Sequence, residues 1–289
     1  MSDHTLVAEP SAGRPPPRHS KSSMTVGDRV RFVLRGIGQT LITLGLVVLL
    51  FVVYEVWITN IFAERNNRQQ ISALKNQWEH DTVDPLNLPG GTVSTLPLGK
   101  GIAILYIPRL GKDYHFAVVQ GSATPTDAQL EQGTAHYGTT QLPGEVGNFA
   151  IAGHRVGKGE PFLNIDKLRS GDAVIVETKS YWFVYRVLGR PTGRNPETVT
   201  ESVTADNKIT LPGREIVDPS DGQVLLPVPD HPDVSLDQAT DRLMTMTTCH
   251  PKFTASHRMI VYSKLDTKVK AVGNTMPGSI NALYGQVRL

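Results

Sequence analysis

Cysteine occurs once in this sequence, at position 249, and that scarcity removes two classes of protein at the outset. A lone thiol cannot build an intramolecular disulfide framework, nor supply a zinc site made of several cysteines. Charge is thin as well: Asp, Glu, Lys and Arg make 19% of the residues, where about 25% is usual. No internal repeat is visible, and helical periodicity sustained over ten residues or more is scarce. The net charge of +2 is unevenly placed, because residues 1–35 hold six basic residues and three acids, whereas from residue 61 onward 23 basic residues meet 23 acids. The bulk of the chain therefore has no global bias toward nucleic acid, and no nucleic-acid partner is expected. Gly (26) and Pro (20) are plentiful in the 289 residues, so the chain is rich in turns and long enough for one or two domains.

Long apolar runs are absent except for one. Residues 36–61, GIGQTLITLGLVVLLFVVYEVWITNI, contain a single ionisable side chain, Glu55. At ~1.5 Å per residue the segment from Ile37 to Ile58 covers the ~30 Å of a bilayer core, with Tyr54 and Trp57 where an aromatic belt would lie. A cleaved signal peptide has a shorter apolar stretch of about 7–15 residues and a small-residue cleavage site. Here the run continues into Trp57, Ile58 and Phe62 without one. The expectation is an uncleaved transmembrane helix at 36–59 that contacts the lipid bilayer. Lys21, Arg29, Arg31 and Arg35 precede it, against Arg65, Arg68 and Lys75 diluted by Glu64 after it. That asymmetry keeps the N-terminus in the cytoplasm and places the remainder outside the plasma membrane. Residues 1–35 then read as a basic cytoplasmic tail whose Pro- and Ser-rich first part is disordered. Residues 60–98 read as a juxtamembrane stalk and linker, and 99–289 as an extracellular domain.

Within that domain short runs of strand length recur between turn signals. They are IAILYIP (102–108), FAVVQG (116–121), GNFAIAG (147–153), DAVIVET (172–178), YWFVYRVLG (181–189), QVLLPV (223–228), RLMTMTTC (242–249) and HRMIVYSKL (257–265). Their β-branched and aromatic content favours strands. The best helical segments are TDAQLEQG (126–133) and EPFLNIDKL (160–168). The class is mainly β, a closed or sandwiched sheet with short helices.

The chemistry gathers around the thiol. Pro251 follows Cys249 by two residues, so the strand is expected to stop at the cysteine, and HRMIVY returns as the second arm of a hairpin. Arg258 opens that return strand, which brings a guanidinium into the neighbourhood of the thiol, where a cation stabilises a thiolate or an oxyanion. A thiol nucleophile also needs a base or ion-pair partner, usually His. Of the nine histidines, His115, His136, His154, His231, His250 and His257 fall in the domain. His154 is the favourite: it follows an apolar strand and Gly153 and leads into a Gly-rich loop, the kind of strand end where catalytic groups concentrate. A buried structural thiol and an ordinary turn histidine are the bland readings of the same residues.

Together, NFAIAGHR around His154, LMTMTTCHP around Cys249, and Arg258 nine positions later resemble the sortases, the cysteine transpeptidases of Gram-positive cell surfaces. The resemblance covers about residues 99–265. HYGTTQLPGE and Thr-Thr-Cys-His-Pro are most similar to the class E sortases of actinobacteria. What the resemblance implies is a sortase-type eight-stranded β-barrel and a triad in which Cys249 is the nucleophile, His154 the general acid and base, and Arg258 the group that holds substrate or oxyanion. It further implies cleavage of an LAxTG- or LPxTG-like sorting signal after Thr through a thioester, followed by transfer to an amine of a peptidoglycan precursor or a pilin. Thr248, beside the thiol, and Tyr137, in AHYG, are candidate substrate-binding residues. No cofactor and no metal are implied, and Asp and Glu are spread too evenly for a calcium site.

Asp84-Pro85-Leu86 faintly resembles the Asp-Pro-aromatic lid of pilin-polymerising sortases, which keeps that role as an alternative; without the aromatic it reads as linker. Two other readings compete. An L,D-transpeptidase would need a Ser-His-Gly-Cys-like stretch, which is missing. A non-catalytic, membrane-anchored surface module would make Cys249 structural.

Overall fold

The computed structural model describes residues 26–54, 59–80, 84, 86, 96–189, 200–203 and 209–286, so most of the expected cytoplasmic tail and part of the expected linker lie outside the described residues. The chain divides into two units, Met1–Phe51 and Val52–Leu289. The first is dominated by helix α1 (Val26–Val53), none of whose residues is buried. Among the described residues it is the one helix long and apolar enough to cross a membrane. It begins ahead of the apolar run because Val26, Val30 and Val33 extend the helical pattern and Asp28 sits favourably in the first turn. Arg29, Arg31 and Arg35 therefore ride on the helix rather than in a tail. Thr40 and Thr43 donate their hydroxyls to the carbonyls of Gly36 and Gln39, at 3.0 and 2.9 Å, so their polar groups are satisfied within the helix, as a lipid environment demands.

The second unit is a closed β-barrel. Its strands are β1 (Gly101–Tyr106), β2 (His115–Gln120), β3 (Thr134–His136), β4 (Gly147–Ala152), β5 (Ala173–Glu177), β6 (Tyr181–Val187), β7 (Thr200–Ser202), β8 (Thr210–Pro212), β9 (Arg214–Val217), β10 (Arg242–His250) and β11 (His257–Lys270). The ring runs β10-β4-β3-β2-β1-β5-β6-β11 and closes through β10–β11, giving eight strands, with β9 added on the free length of β11. Two neighbours are parallel, β2 with β3 and β4 with β10. β7 and β8 form a separate ribbon.

The barrel interior follows from the period-2 alternation of its strands. Met244 and Met246 of β10 point in, to pack with Phe149, Ile151, Val174, Val176, Phe183 and Tyr185. Leu243 of β10 and Ile260 and Tyr262 of β11 point out, into a second apolar cluster with Leu188, Val203, Leu211, Val224 and Val228. The long connection between β6 and β10 thus lies over the outer face of the hairpin that carries the thiol. Helix α4 (Gly278–Gly285) covers a third cluster with Ile280 and Leu283 against Trp182 and Val184.

Helix α2 (Thr59–His80) occupies the region expected as a stalk, and it packs on the barrel with Ala63 and Leu74 buried. Of β2, only Val118–Gln120 pairs with β3, so the first half of β2 would expose unpaired backbone on that edge. Asn67 fills that gap: its Nδ2 donates to the His115 carbonyl at 3.1 Å and its Oδ1 accepts the Ala117 N–H at 2.8 Å. A buried amide here does the work of a strand partner.

Two expected elements take other forms. QVLLPV is not a strand: Gln223–Leu225 winds into one 3₁₀ turn. Asp221 accepts the Gln223 N–H at 3.0 Å, and Asn148 of β4 donates to the carbonyls of Val224 and Leu226, both at 3.1 Å. Those backbone groups are spent on a turn and a side chain, and Pro227 has no N–H to donate to a ladder. The eighth barrel strand is instead the three-residue β3. EPFLNIDKL likewise forms turns and a 3₁₀ stretch at Ile165–Lys167. TDAQLEQG gives the four-residue helix α3 (Asp127–Leu130), started by a Thr126–Gln129 capping box.

Candidate active site

Strand register sets the geometry of the site. β10 does not stop at Cys249 but continues to His250, and in the β10–β11 pairing Cys249 is directly opposite Arg258. Cross-strand partners share a face, so the thiol and the guanidinium leave the sheet on the same side as Thr247 and Ile260. β4 runs parallel to β10 in a register that pairs Ala152 with Thr247. The Gly153 N–H then donates to the Thr247 carbonyl at 3.1 Å. Continuing both strands by two residues brings position 154 alongside position 249. The three residues read from the sequence as chemical thus come together from the ends of three adjacent strands.

They open into one cleft of about 430 Å³ whose lining includes Cys249, His154, Arg258, Thr248 and Tyr137. Its far wall is the 217–225 segment, held in place by Asn148. Its near wall is α3, through Asp127 and Leu130. Neither Asp84 nor Leu86 lines it; Leu86 packs against the barrel core and takes its N–H to Asp84 Oδ1 at 2.9 Å.

Each group has a distinct environment. Cys249 is a free, half-buried thiol. The Nε2 of His154 is buried with no hydrogen-bond partner. Burial holds the His154 pKa below the usual imidazole value and the nearby Lys158 cation pushes it the same way, with Asp127 and Glu131 pulling back. Lys158 itself spans the two acids, at 3.3 and 3.0 Å. Arg258 uses Nη1 on the carbonyls of Ala255 and His257, both at 3.1 Å. A guanidinium carries five N–H donors, so donors remain for a bound group.

The two candidate substrate contacts are more committed. Thr248 donates its hydroxyl to the Gly153 carbonyl at 2.8 Å and is buried. It ties the strand of Cys249 to the residue before His154. The Tyr137 hydroxyl lies 2.8 Å from Thr247 Oγ1, and burial raises its pKa. Gly153 is required by packing: a Cβ there would lie 2.7 Å from the ring of buried Phe162.

Sequence reasoning passed over two residues. Asn148 reads as a stray polar residue in an apolar strand, yet it is buried and bonded on both ends of its amide, to Thr245 as well as to the cleft wall. Arg155, next to His154, reads as a surface charge, yet only 4% of its surface is exposed. It touches the Cys249 backbone carbonyl through Nη1 at 3.3 Å. An Asn inside an apolar run and an Arg directly after the candidate histidine were the available signals.

A thiol facing a guanidinium, with an imidazole at the end of the neighbouring strand and an open cleft above all three, is what acyl transfer through sulfur demands. The fold and site therefore define the class as a β-barrel enzyme of cysteine chemistry. Comparison with known proteins specifies the family: a sortase domain model matches residues 105–266. The chain belongs to the sortase family, whose members are cysteine transpeptidases. Sortase SrtE1 of Streptomyces coelicolor is 34% identical over 237 residues, taking in 80% of this chain and 56% of that protein. Sortase SrtE2 of the same organism is 31% identical over 247 residues, 83% of this chain and 85% of that one. The chain thus spans little more than half the length of SrtE1. Among solved structures, the SrtF sortase from Corynebacterium diphtheriae superposes with a TM-score of 0.57 at 37% identity, covering 69% of this chain and 98% of its own.

Proposed function

We propose that the protein is a single-pass membrane sortase that cleaves a C-terminal LAxTG- or LPxTG-like signal after Thr and joins the shortened protein to an amine of the cell wall. The observation that supports this reading is the Cys249–Arg258 cross-strand pair with His154 just past the end of the adjoining parallel strand, in one cleft. The Cys249 thiolate attacks the Thr carbonyl, and the negative charge that develops on its oxygen is met by the Arg258 guanidinium. His154, as imidazolium, protonates the departing amine, leaving the substrate as a thioester on Cys249. An incoming amine then attacks the thioester, His154 takes its proton, and the sulfur departs as thiolate, leaving a new amide bond and the starting charge state.

The depressed pKa of His154 means that the imidazole is mostly neutral at pH 7. Tyr137 and Thr247 border the cleft beside the thiol and suit contact with the residues before the scissile bond. The basic residues ahead of and within the first turns of α1 support a cytoplasmic N-terminus and an extracellular barrel.

The test is cleavage of LAxTG and LPxTG peptides by the detergent-solubilised full chain and by its Cys249→Ala variant. Loss of all cleavage with an unchanged thermal midpoint is expected; retained cleavage would remove Cys249 from the reaction. Mass analysis of products formed with different amines separates wall anchoring from pilin polymerisation.

A further inference from the structure

Arg155 does not line the cleft, yet it touches the backbone of Cys249 from behind. It is buried, and its guanidinium spans four groups on three separate segments. Nε donates to the Leu163 carbonyl at 3.2 Å, Nη2 to Asp166 Oδ1 at 2.8 Å, and Nη1 to the Cys249 carbonyl at 3.3 Å and toward Met259 Sδ at 3.5 Å. Asp166 is itself anchored, because its backbone carbonyl accepts from Arg214 Nη1 at 2.5 Å. It also faces Lys252 of the hairpin loop at 4.0 Å.

A buried ion is costly unless it is paired, and an apolar side chain of similar length would fill the same volume with no such demand. What only a guanidinium does is reach two carbonyls and a carboxylate at fixed angles at once. One of those carbonyls belongs to Cys249, and the backbone that bears the guanidinium is the peptide neighbour of His154. A single rigid group therefore fixes the separation of the thiol and the imidazole.

We propose that Arg155 is a positioning residue that locks the catalytic thiol of β10 and the catalytic imidazole of the β4 loop into one frame, with the 163–166 turn as its anchor. This rests on the reading of Cys249 and His154 as nucleophile and acid–base. Thr248 provides a second tie, from its hydroxyl to the Gly153 carbonyl, but that bond fixes the loop before the histidine and leaves the side beyond it to Arg155. Without Arg155 the substrate still binds, since the cleft walls are untouched, while the reacting atoms lose their alignment. Misplacement by about 1 Å is enough for a 10²-fold loss of rate.

Three variants of the full chain test this, each read by thermal midpoint, kcat, KM and the rate of Cys249 alkylation by iodoacetamide. Arg155→Met should lower kcat about 100-fold with KM and alkylation within threefold of wild type. Arg155→Lys keeps a charge for Asp166 but cannot hold the Cys249 carbonyl as well, so kcat should stay at least tenfold low. Asp166→Asn acts on the more exposed partner, for which the fold is tolerant. It should lower kcat severalfold at unchanged KM, and it decides the matter if Arg155→Met fails to fold. A folded Arg155→Lys enzyme with wild-type kcat would show that charge or bulk is all that is needed and overturn the proposal, as would full kcat in Asp166→Asn. Activity in Cys249→Ala would instead bring down the reading on which the proposal rests, so the two failures are distinguishable.

Discussion

His136 and His154 stand at the ends of adjacent strands and live in opposite surroundings. His136, on β3, is fully buried and stacks on Phe149 with ring centroids 5.3 Å apart. Its Nδ1 lies 3.0 Å from Gln120 Oε1, and its Nε2 lies 3.0 Å from both the Gln141 carbonyl and Thr140 Oγ1. His154 borders the cleft, and its Nε2 has no partner. Burial lowers both pKa values, that of His136 to about 4. A buried polar group with every partner in place is part of the architecture. One left without a partner beside an open cleft and a thiol is available to a substrate.

The comparison yields expectations of decreasing size. His154→Gln should reduce peptide cleavage by about 10²–10⁴-fold, the usual worth of a general acid–base, at an unchanged melting temperature. His136→Phe should do the reverse, leaving turnover per folded molecule intact. It removes both ring-nitrogen contacts, with Gln120 and with Gln141 and Thr140, at about 1–3 kcal/mol for each buried group left unpaired. If the His136 variant lost turnover as steeply as the His154 variant, the distinction would collapse. Arg258→Lys should lose tenfold or more, because a point charge cannot reproduce the planar fork; a wild-type rate would take Arg258 out of the site.

Two pH dependences sharpen the same contrast. An unfolded imidazole has a pKa of about 6.5, whereas folded His136 titrates near 4. Between those values the unfolded chain binds a proton that the folded chain refuses. Stability therefore falls as pH drops through this window, by up to roughly 3 kcal/mol, and His136 adds no slope above it. Urea midpoints measured from pH 7 to 4 should show that slope, and His136→Phe should lose it. For activity, the acid limb of kcat/KM should lie below the ordinary imidazole value of about 6.5, since His154 is shifted down; a limb above it would mean that another group controls protonation. The smallest effect is expected for Tyr137→Phe. It removes one hydroxyl contact with Thr247, worth about 1 kcal/mol, and should change kcat/KM only severalfold.

The central features of the site could be read from the sequence because they depend on local signals. A thiol before Pro251, a return strand opening on Arg258 and an apolar strand ending at Gly153-His154 each mark a strand end, and strand ends are where the register brings them together. The seven longer strands were visible for the same reason, through β-branched and aromatic runs. β3 was not, since three residues of Thr-Ala-His carry no alternation to detect. QVLLPV misled because its apolar content is that of a strand, while its fate is decided from a distance by Asn148 and nearby by Asp221. The roles of Asn67, Asn148 and Arg155 were equally hidden, as each is set by a partner 48 or more residues away: His115, Val224 and Cys249 respectively. The sequence set His154 apart from His136 by the apolar strand ahead of it, where Gly133-Thr134-Ala135 precedes His136; the difference in hydrogen-bond partners appears only in the folded chain.

The most direct test of the account is to catch the enzyme with its substrate attached. The full chain should be mixed with an LAxTG peptide without an added amine, quenched in acid and digested for mass spectrometry. The peptide carrying Cys249 should gain the mass of the substrate portion ending in Thr, as a thioester that hydroxylamine removes and that His154→Gln strongly reduces. Peptide cleavage with no adduct on Cys249, together with undiminished turnover in Cys249→Ala, would contradict it.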